Sequence, residues 1–394
     1  EDINDDAPQS DDDMETEEYM DVQPNNSPLT ISGIMGGRTA AGRAGAVKKH
    51  GGSGKGQQAV NKALKWLASV QEENGSWESR PAHTGMALLV FLAHGETPLS
   101  ETYGKTVRTA IKWLHEYASG SKMMKSRAYS HGIATYAIAE AYGMTQIPFL
   151  KTDMEKCIQR IIDGQQEGGG FDYNYAKGAR WDLSVCGWQF QALKASFVSG
   201  ASNPGLQEAI YKSIKFLKNT TYKGYKFGYS SAGSGGNMTG VGTVALQLLG
   251  ASKSEEAQGG CRTIEEERLN LYRKVLKAPD TFAGVAAGAT YGWYYDTQAM
   301  FNTGGGTWKR WRKIFEPVLI KAQDPAGYWE TTGGPGMGPT LPGRILSTCW
   351  TVLQLEVYYR YLPTFDIGKM DRHAAGGGGD IEDEKDGGVV IEIE

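Results

Sequence analysis

The chain has 394 residues, 40% of them hydrophobic, and a formal net charge of −4. That much apolar material supports a sizeable core and excludes a wholly disordered chain, while no run of about 18 apolar residues marks a membrane-spanning helix. The small total charge conceals an uneven distribution: residues 1–37 carry eleven acids and no Lys or Arg, residues 366–394 carry nine acids and three bases, and the stretch between has 38 bases against 25 acids.

Residues 1–55 read as a disordered tail. They are acidic, then rich in Gly, Ala and Arg from Gly36 to Arg43, then Gly51-Gly52-Ser53-Gly54, a composition that buries too little to offset ordering entropy. The chain begins with Glu, which leads to the expectation that an upstream signal or anchor is missing and that the protein belongs to a bacterial cell envelope.

Residues 56–365 predict one all-α domain built from six helix pairs. The first members, at about 57–71, 105–118, 152–165, 206–219, 263–276 and 307–323, alternate charged and apolar faces, as in Val107, Ala110, Ile111 and Leu114. The second members, at about 83–94, 131–142, 182–198, 238–250, 290–302 and 345–359, are apolar or small all round, as in Met86 to Ala93, which predicts burial on both sides. Six polar outer helices alternating with six buried inner ones predict an α6/α6 toroid, because ring closure leaves no raw end faces. Residues 366–394 read as a second acidic, Gly-rich tail.

Several pairs are joined by one motif, a helix ending in Gln followed by Gly and an aromatic. Gln71 with Gly75 and Trp77 is the fullest copy; Gln165 and Gln166 with Gly168 to Phe171, and Gln323 with Gly327, Tyr328 and Trp329, repeat it, and Asn219 with Gly224 and Tyr225 is degenerate. Repeats at a period of about 50 residues mean stacked supersecondary units. The motif resembles the QW repeat of squalene–hopene cyclases and protein prenyltransferase β subunits over residues 56–363. Stretches such as Asp182 to Gln189, Trp293 to Met300 and Val357 to Pro363 are similar to uncharacterised squalene-cyclase-like proteins of planctomycete-type bacteria. The resemblance implies a toroid whose central cavity takes an isoprenoid.

The chemistry of those families is only partly echoed. Cyclases of this kind protonate an alkene with a D-x-D-D motif, and none occurs in residues 56–365. Prenyltransferases hold zinc through Asp, Cys and His. Asp182 with Cys186 has the wrong spacing, and Ser347 stands where the His of the motif belongs before Thr348-Cys349. Neither zinc nor another cofactor is expected. Cys157, Cys186, Cys261 and Cys349 form no C-x-x-C pair, so no metal site or disulfide framework is predicted. Polysaccharide lyases also use this toroid, but no basic, calcium-binding cluster is legible in the sequence. No nucleic-acid signature interleaves basic and aromatic residues.

The inner-helix starts supply the candidate site. Asp182 and Asp296 are the candidate catalytic acids, expected to approach each other across the ring. His83, His131, Trp181, Cys186, Trp188, Tyr291, Trp293, Tyr294, Tyr295 and Arg344 are the candidate ligand-binding residues, since electron-rich rings suit cations. Asp182 is equally a good N-cap for its helix, and the rings equally good filling. Three readings follow: a module binding an apolar isoprenoid-like ligand, a diverged terpene cyclase or transferase, and a non-catalytic protein-interaction scaffold whose outer surface or tails reach partners.

Overall fold

The computed structural model describes residues 33–277, 289–331 and 338–360. Ahead of the ring, a 3-10 turn (Gly33–Arg38) leads into α1 (Ala40–His50). Repeat one is α2 (Gly54–Ser69) and α3 (Pro81–Ala93); repeat two is α4 (Gly104–Ser119), a short α5 (Ser121–Lys125) and α6 (Ala128–Thr145); repeat three is α7 (Pro148–Gly164) and α8 (Leu183–Val198). Repeat four is α9 (Leu206–Phe216) with a π-turn (Leu217–Thr221), the hairpin β1 (Tyr222–Lys223) and β2 (Lys226–Phe227), and α10 (Met238–Leu248). Repeat five is α11 (Glu255–Thr263), a π-turn (Ile264–Arg268), α12 (Leu269–Lys277) and α13 (Ala289–Thr303). Repeat six is α14 (Gly305–Lys321) and α15 (Leu341–Leu355), followed by the single turn α16 (Val357–Arg360).

The predicted toroid is what these helices form. α3, α6, α8, α10, α13 and α15 each pack on the next, and α15 returns to α3, closing the inner ring. Met86 to Ala93 are all buried, whereas α4 buries only the stripe that includes Val107, Ala110, Ile111 and Leu114. Early positions of neighbouring inner helices meet one another: a Cβ on Gly85 would touch Ile133, one on Gly132 would touch Gln189, and one on Gly187 would touch Val241. The inner helices therefore run the same way, with all their N-termini at one end.

Three turns repeat one geometry. The Gln amide donates to the carbonyl four residues on and to a carbonyl of the next outer helix: Gln71 to Gly75 (2.9 Å) and Thr106 (3.0 Å), Gln165 to Gly169 (3.1 Å) and Ala209 (3.0 Å), Gln323 to Gly327 (3.0 Å) and Ala59 (2.8 Å). Trp77 and Trp329 then donate their indole N–H to Leu67 and Leu319, the carbonyls ten residues back (2.9 and 2.8 Å). The degenerate fourth copy is replaced by the β1–β2 hairpin, which drives Phe227 into the space beside Gly242.

Two boundaries differ from expectation. The fifth outer helix begins at Glu255, capped by Ser254, whose hydroxyl accepts from the Ala257 amide (3.2 Å). Gly259 and Gly260 hide it in the sequence; they are there because Tyr222 and Thr243 lie where a Cβ would go. More consequentially, the described fold includes residues 33–55, which the sequence assigned to the tail. The segment carrying the 3-10 turn and α1 seals the end of the ring where the inner helices finish, and its Arg38 and Arg43 are fully buried. Arg38 donates to Glu140 (2.7 Å) and to the carbonyls of Arg360 (3.0 Å) and Leu92 (3.4 Å), and Arg43 donates to the Arg38 carbonyl (2.9 Å) and to that of His94. Helix C-termini leave carbonyls unpaired and carry partial negative charge, so a Gly/Ala/Arg-rich stretch that looks featureless supplies the cations this end needs. The rest of the expected 1–55 tail, and the 366–394 tail, lie outside the described residues.

Candidate functional site

The opposite end is where the inner helices begin. Asp182 is the N-cap of α8. Its Oδ1 accepts from the amides of Ser184 (2.9 Å) and Val185 (3.3 Å) and from the Ser184 hydroxyl (2.5 Å), which is what fixes the residue at this position. The side chain is fully buried, and beyond these contacts the Tyr229 phenol hydrogen-bonds the carboxylate, since a buried carboxylate oxygen is costly unless something completes it.

Tyrosines surround it. The loop of residues 228–237 carries Tyr229 over the start of α8, its carbonyl accepting from the Leu183 amide (2.8 Å), and its phenol lies beside Asp182 and Tyr173. Burial, then those two neighbours, raise the Tyr229 pKa. The loop of residues 165–182 is held by Gln166, which donates to the carbonyls of Ala176 (3.0 Å) and Arg180 (2.7 Å), and by Asp172 Oδ1, which accepts from the amides of Asn174 (2.9 Å) and Ala176 (2.8 Å). It presents Tyr173, whose carbonyl takes the first amide of α6 (2.8 Å). Tyr129 and Tyr291 complete the group, stacked edgewise or tilted on Trp188 at 6.0 and 6.3 Å.

The other predicted residues go to different places. Trp188, Tyr294 and Tyr295 pack on one another at 5.7, 5.7 and 4.9 Å in the middle of the ring, and Trp293 turns outward against Tyr272 at 3.8 Å. Trp181 packs on Phe216 at 5.3 Å, and Cys186 faces the turn backbone, its sulfur 3.2 Å from the Phe171 amide. His131 bridges the Tyr117 hydroxyl and the Cys157 carbonyl, both at 2.9 Å, between layers; burial, then Arg160, lowers its pKa to about 3, so it is a neutral structural ring. His83 does lie at this end, hydrogen-bonded to the Pro342 backbone, with its pKa lowered to about 4 by burial and then by Arg80. Arg344 is there too, bound to Glu330 (2.9 Å). No group of three His, Cys, Asp or Glu side chains among the described residues is arranged to hold a metal ion.

Asp182 and Asp296 are not brought together. Asp296, fully buried in α13, accepts from Arg268 of the second π-turn (2.9 Å), which also holds Asn237 (2.6 Å). Burial raises the Asp296 pKa from 3.8 to about 6, against the pull of Arg268. The fold thus binds this proton more tightly than the unfolded chain does. The associated stability is complete below pH 3.8 and is lost as pH rises to about 6. Denaturant midpoints measured across that range should fall with rising pH in the native protein relative to Asp296→Asn. Parallel pH profiles would place the ionised Asp296 at no disadvantage in the fold.

The cavity at the centre of the ring is about 20 Å³, lined by Tyr136, Glu140, Gln191, Lys194, Gln298 and Arg360 among others, which is room for about one water molecule. Trp188, Tyr294 and Tyr295, expected to line a cavity, pack on one another instead.

No protein-family model matches the chain, and no curated protein matches it. Solved structures do. An inactive variant of the GH76A α-1,6-mannanase of a Salegentibacter species, in complex with α-1,6-mannotriose, aligns at TM-score 0.54 and 12% identity over 78% of this chain and 99% of that one. Cellobiose 2-epimerase from Bacillus thermoamylovorans aligns at TM-score 0.51 and 12% identity over 74% and 95%. Likeness at this identity shows the toroid fold. It also corrects the resemblance to squalene–hopene cyclases and prenyltransferases, and with it the apolar isoprenoid-like ligand: the matching toroids are a mannanase and an epimerase. The Gln–Gly–aromatic turn describes how an outer helix hands over to an inner one, a matter of fold rather than of chemistry.

Sequence reasoning missed Tyr129, Tyr173 and Tyr229, and three arginines just ahead of inner helices: Arg80, Arg127 and Arg180. Superposing the inner-helix starts in register would have flagged Arg80 and Arg127, which are both N-caps.

Proposed function

We propose that the end of the inner ring where its helices begin, centred on Asp182, binds a polyhydroxylated ligand, an oligosaccharide. The observation that carries this reading is the group of tyrosines, Tyr129, Tyr229 and Tyr291, gathered around the buried Asp182 carboxylate at the inner-helix starts. A carboxylate oxygen is a strong acceptor for sugar hydroxyls, and tyrosines offer flat apolar faces with polar tips. The mannanase that shares the fold was solved with a manno-oligosaccharide, which agrees with a saccharide on this scaffold. Hydrolysis with a pair of carboxylates needs a second acid about 5–10 Å from the first. Among the described residues Asp296 is tied to Arg268 and Asp172 to its own turn, so the reading is of recognition rather than two-carboxylate hydrolysis.

Calorimetric titration of the full chain with a panel of oligosaccharides tests it. Asp182→Asn keeps the helix cap but weakens the charged acceptor, and binding should fall by about 10–100-fold, the equivalent of about 1.5–3 kcal/mol. Tyr229→Ala should weaken it as well. A panel with no binder, or a binder indifferent to Asp182→Asn, defeats the proposal.

A further inference from the structure

The end of the ring away from Asp182 holds a buried cation with no carboxylate of its own among the described residues. Arg360, at the close of α16, is 6% exposed. Its Nε donates to the Leu353 carbonyl (2.9 Å), and its guanidinium lies over the Tyr294 ring at 5.2 Å, with that phenol as a hydrogen-bond partner. It makes no ion pair among the described residues. Two carboxyls are near enough for their charge to reach it, and both are otherwise disposed. Glu140 is bound to Arg38 at 2.7 Å. Glu356 is fully buried, neither of its carboxyl oxygens accepts a hydrogen bond, and burial pushes its pKa well above the usual carboxylate range, which favours the neutral acid. A guanidinium buried without a counter-charge is costly.

Arg360 lines the central cavity of about 20 Å³, and the facing walls suit a negative charge. Lys194, Gln191 and Gln298 carry further N–H donors there. Tyr136 lines it too; it is 7% exposed, and its hydroxyl makes no hydrogen bond among the described residues. A buried hydroxyl in that state calls for an acceptor. The space takes one water-sized particle. A water molecule would satisfy Tyr136 but leave the charge of Arg360 unanswered, and a carboxylate or sulfate ion is too large. A halide ion is little bigger than water and meets both needs.

We propose that this cavity holds a chloride ion, bound between Arg360, Lys194 and the Tyr136 hydroxyl, as the counter-charge of the sealed end. The proposal does not depend on the saccharide reading. Arg38 of the N-terminal segment donates to the Arg360 carbonyl (3.0 Å), so the ion strengthens the join between the two ends of the described chain.

Urea unfolding of the full chain in mixtures of sodium chloride and sodium gluconate, at constant ionic strength, tests it. Gluconate cannot enter the cavity. The unfolding free energy should rise by about 1.4 kcal/mol for each tenfold increase in chloride above its dissociation constant, and bromide should act as chloride does. Tyr136→Phe, which removes one hydroxyl and keeps the ring, should move that curve to about 10–100-fold higher chloride. Crystals grown in bromide locate the ion independently through its anomalous scattering, with the expected peak between Arg360 and Lys194. Stability indifferent to the exchange of gluconate for chloride overturns the proposal, as does a chloride curve unmoved by Tyr136→Phe. Bromide peaks confined to the surface also overturn it, since they would mean an adventitious ion only and water in the cavity.

Discussion

Replacing Glu140 by alanine should lower the unfolding free energy by about 3–5 kcal/mol, the cost of stranding a buried cation. Glu140 and Arg38 meet at 2.7 Å with both side chains almost wholly buried. The remaining Arg38 contacts are carbonyls and the Met144 sulfur at 3.9 Å, which solvate the guanidinium but cannot neutralise it. Arg360 and Lys194 share the nearby cavity, and burial already lowers the Lys194 pKa to about 7, so this region has little tolerance for stranding the Arg38 charge. The measurement is a urea transition, with hydrogen exchange across residues 33–50 as the local readout. Both should move together, because the N-terminal segment is anchored through this arginine. Arg38→Met/Glu140→Leu should cost much less, since it removes the charge pair as a unit. An unchanged midpoint in Glu140→Ala would show that the pair does not hold the segment down.

Gly169→Ala should cost about 2–4 kcal/mol, combining left-handed backbone strain with a steric clash. Gly169 has φ +91°, and a Cβ there would come 2.2 Å from the Lys212 carbonyl oxygen of α9. That neighbour is main chain, so relief requires moving a helix rather than a side chain. Gly75 and Gly327 are in the same position, with φ +90° and +106° and the Thr109 and Lys62 carbonyls 2.3 and 2.5 Å from a Cβ. The internal control is adjacent: Gly168 has nothing within 4 Å of a Cβ, and Gly168→Ala should be nearly neutral by the same denaturant measurement. Equal effects of the two substitutions would mean that the close approach to the next outer helix is not what requires glycine.

The features legible in the sequence are those encoded locally. Helix pairs show through apolar spacing, and the turns show because Gln, Gly and the aromatic act within a few residues of one another. What was not legible depends on residues far apart in the chain. Arg38 and Arg43 read as part of a tail because their partners, at 92, 94, 140 and 360, lie 51 to 322 positions away. Asp182 was legible as a helix cap, but its contact with Tyr229 was not, since that depends on a loop from repeat four. His131 and Asp296 read as site residues because both sit on inner helices; the sequence does not reveal which way such a helix turns them, and both have partners in the outer layer, Cys157 and Arg268. Arg80, Arg127 and Arg180 drew no notice because they stand about 50 residues apart in the chain.

The Gln turns have one further consequence, for the order in which the protein is made. Gln71 and Gln165 each reach the outer helix that follows in the chain, but Gln323 reaches back to Ala59, 264 residues earlier. The nascent protein must therefore exist as an open horseshoe until its sixth repeat has emerged from the ribosome, with the lateral surfaces of α2 and α3 uncovered for most of synthesis. Contacts of such long separation form late and slowly, so this seam between first and last repeats is where chaperones would be needed and where a prematurely terminated chain would aggregate.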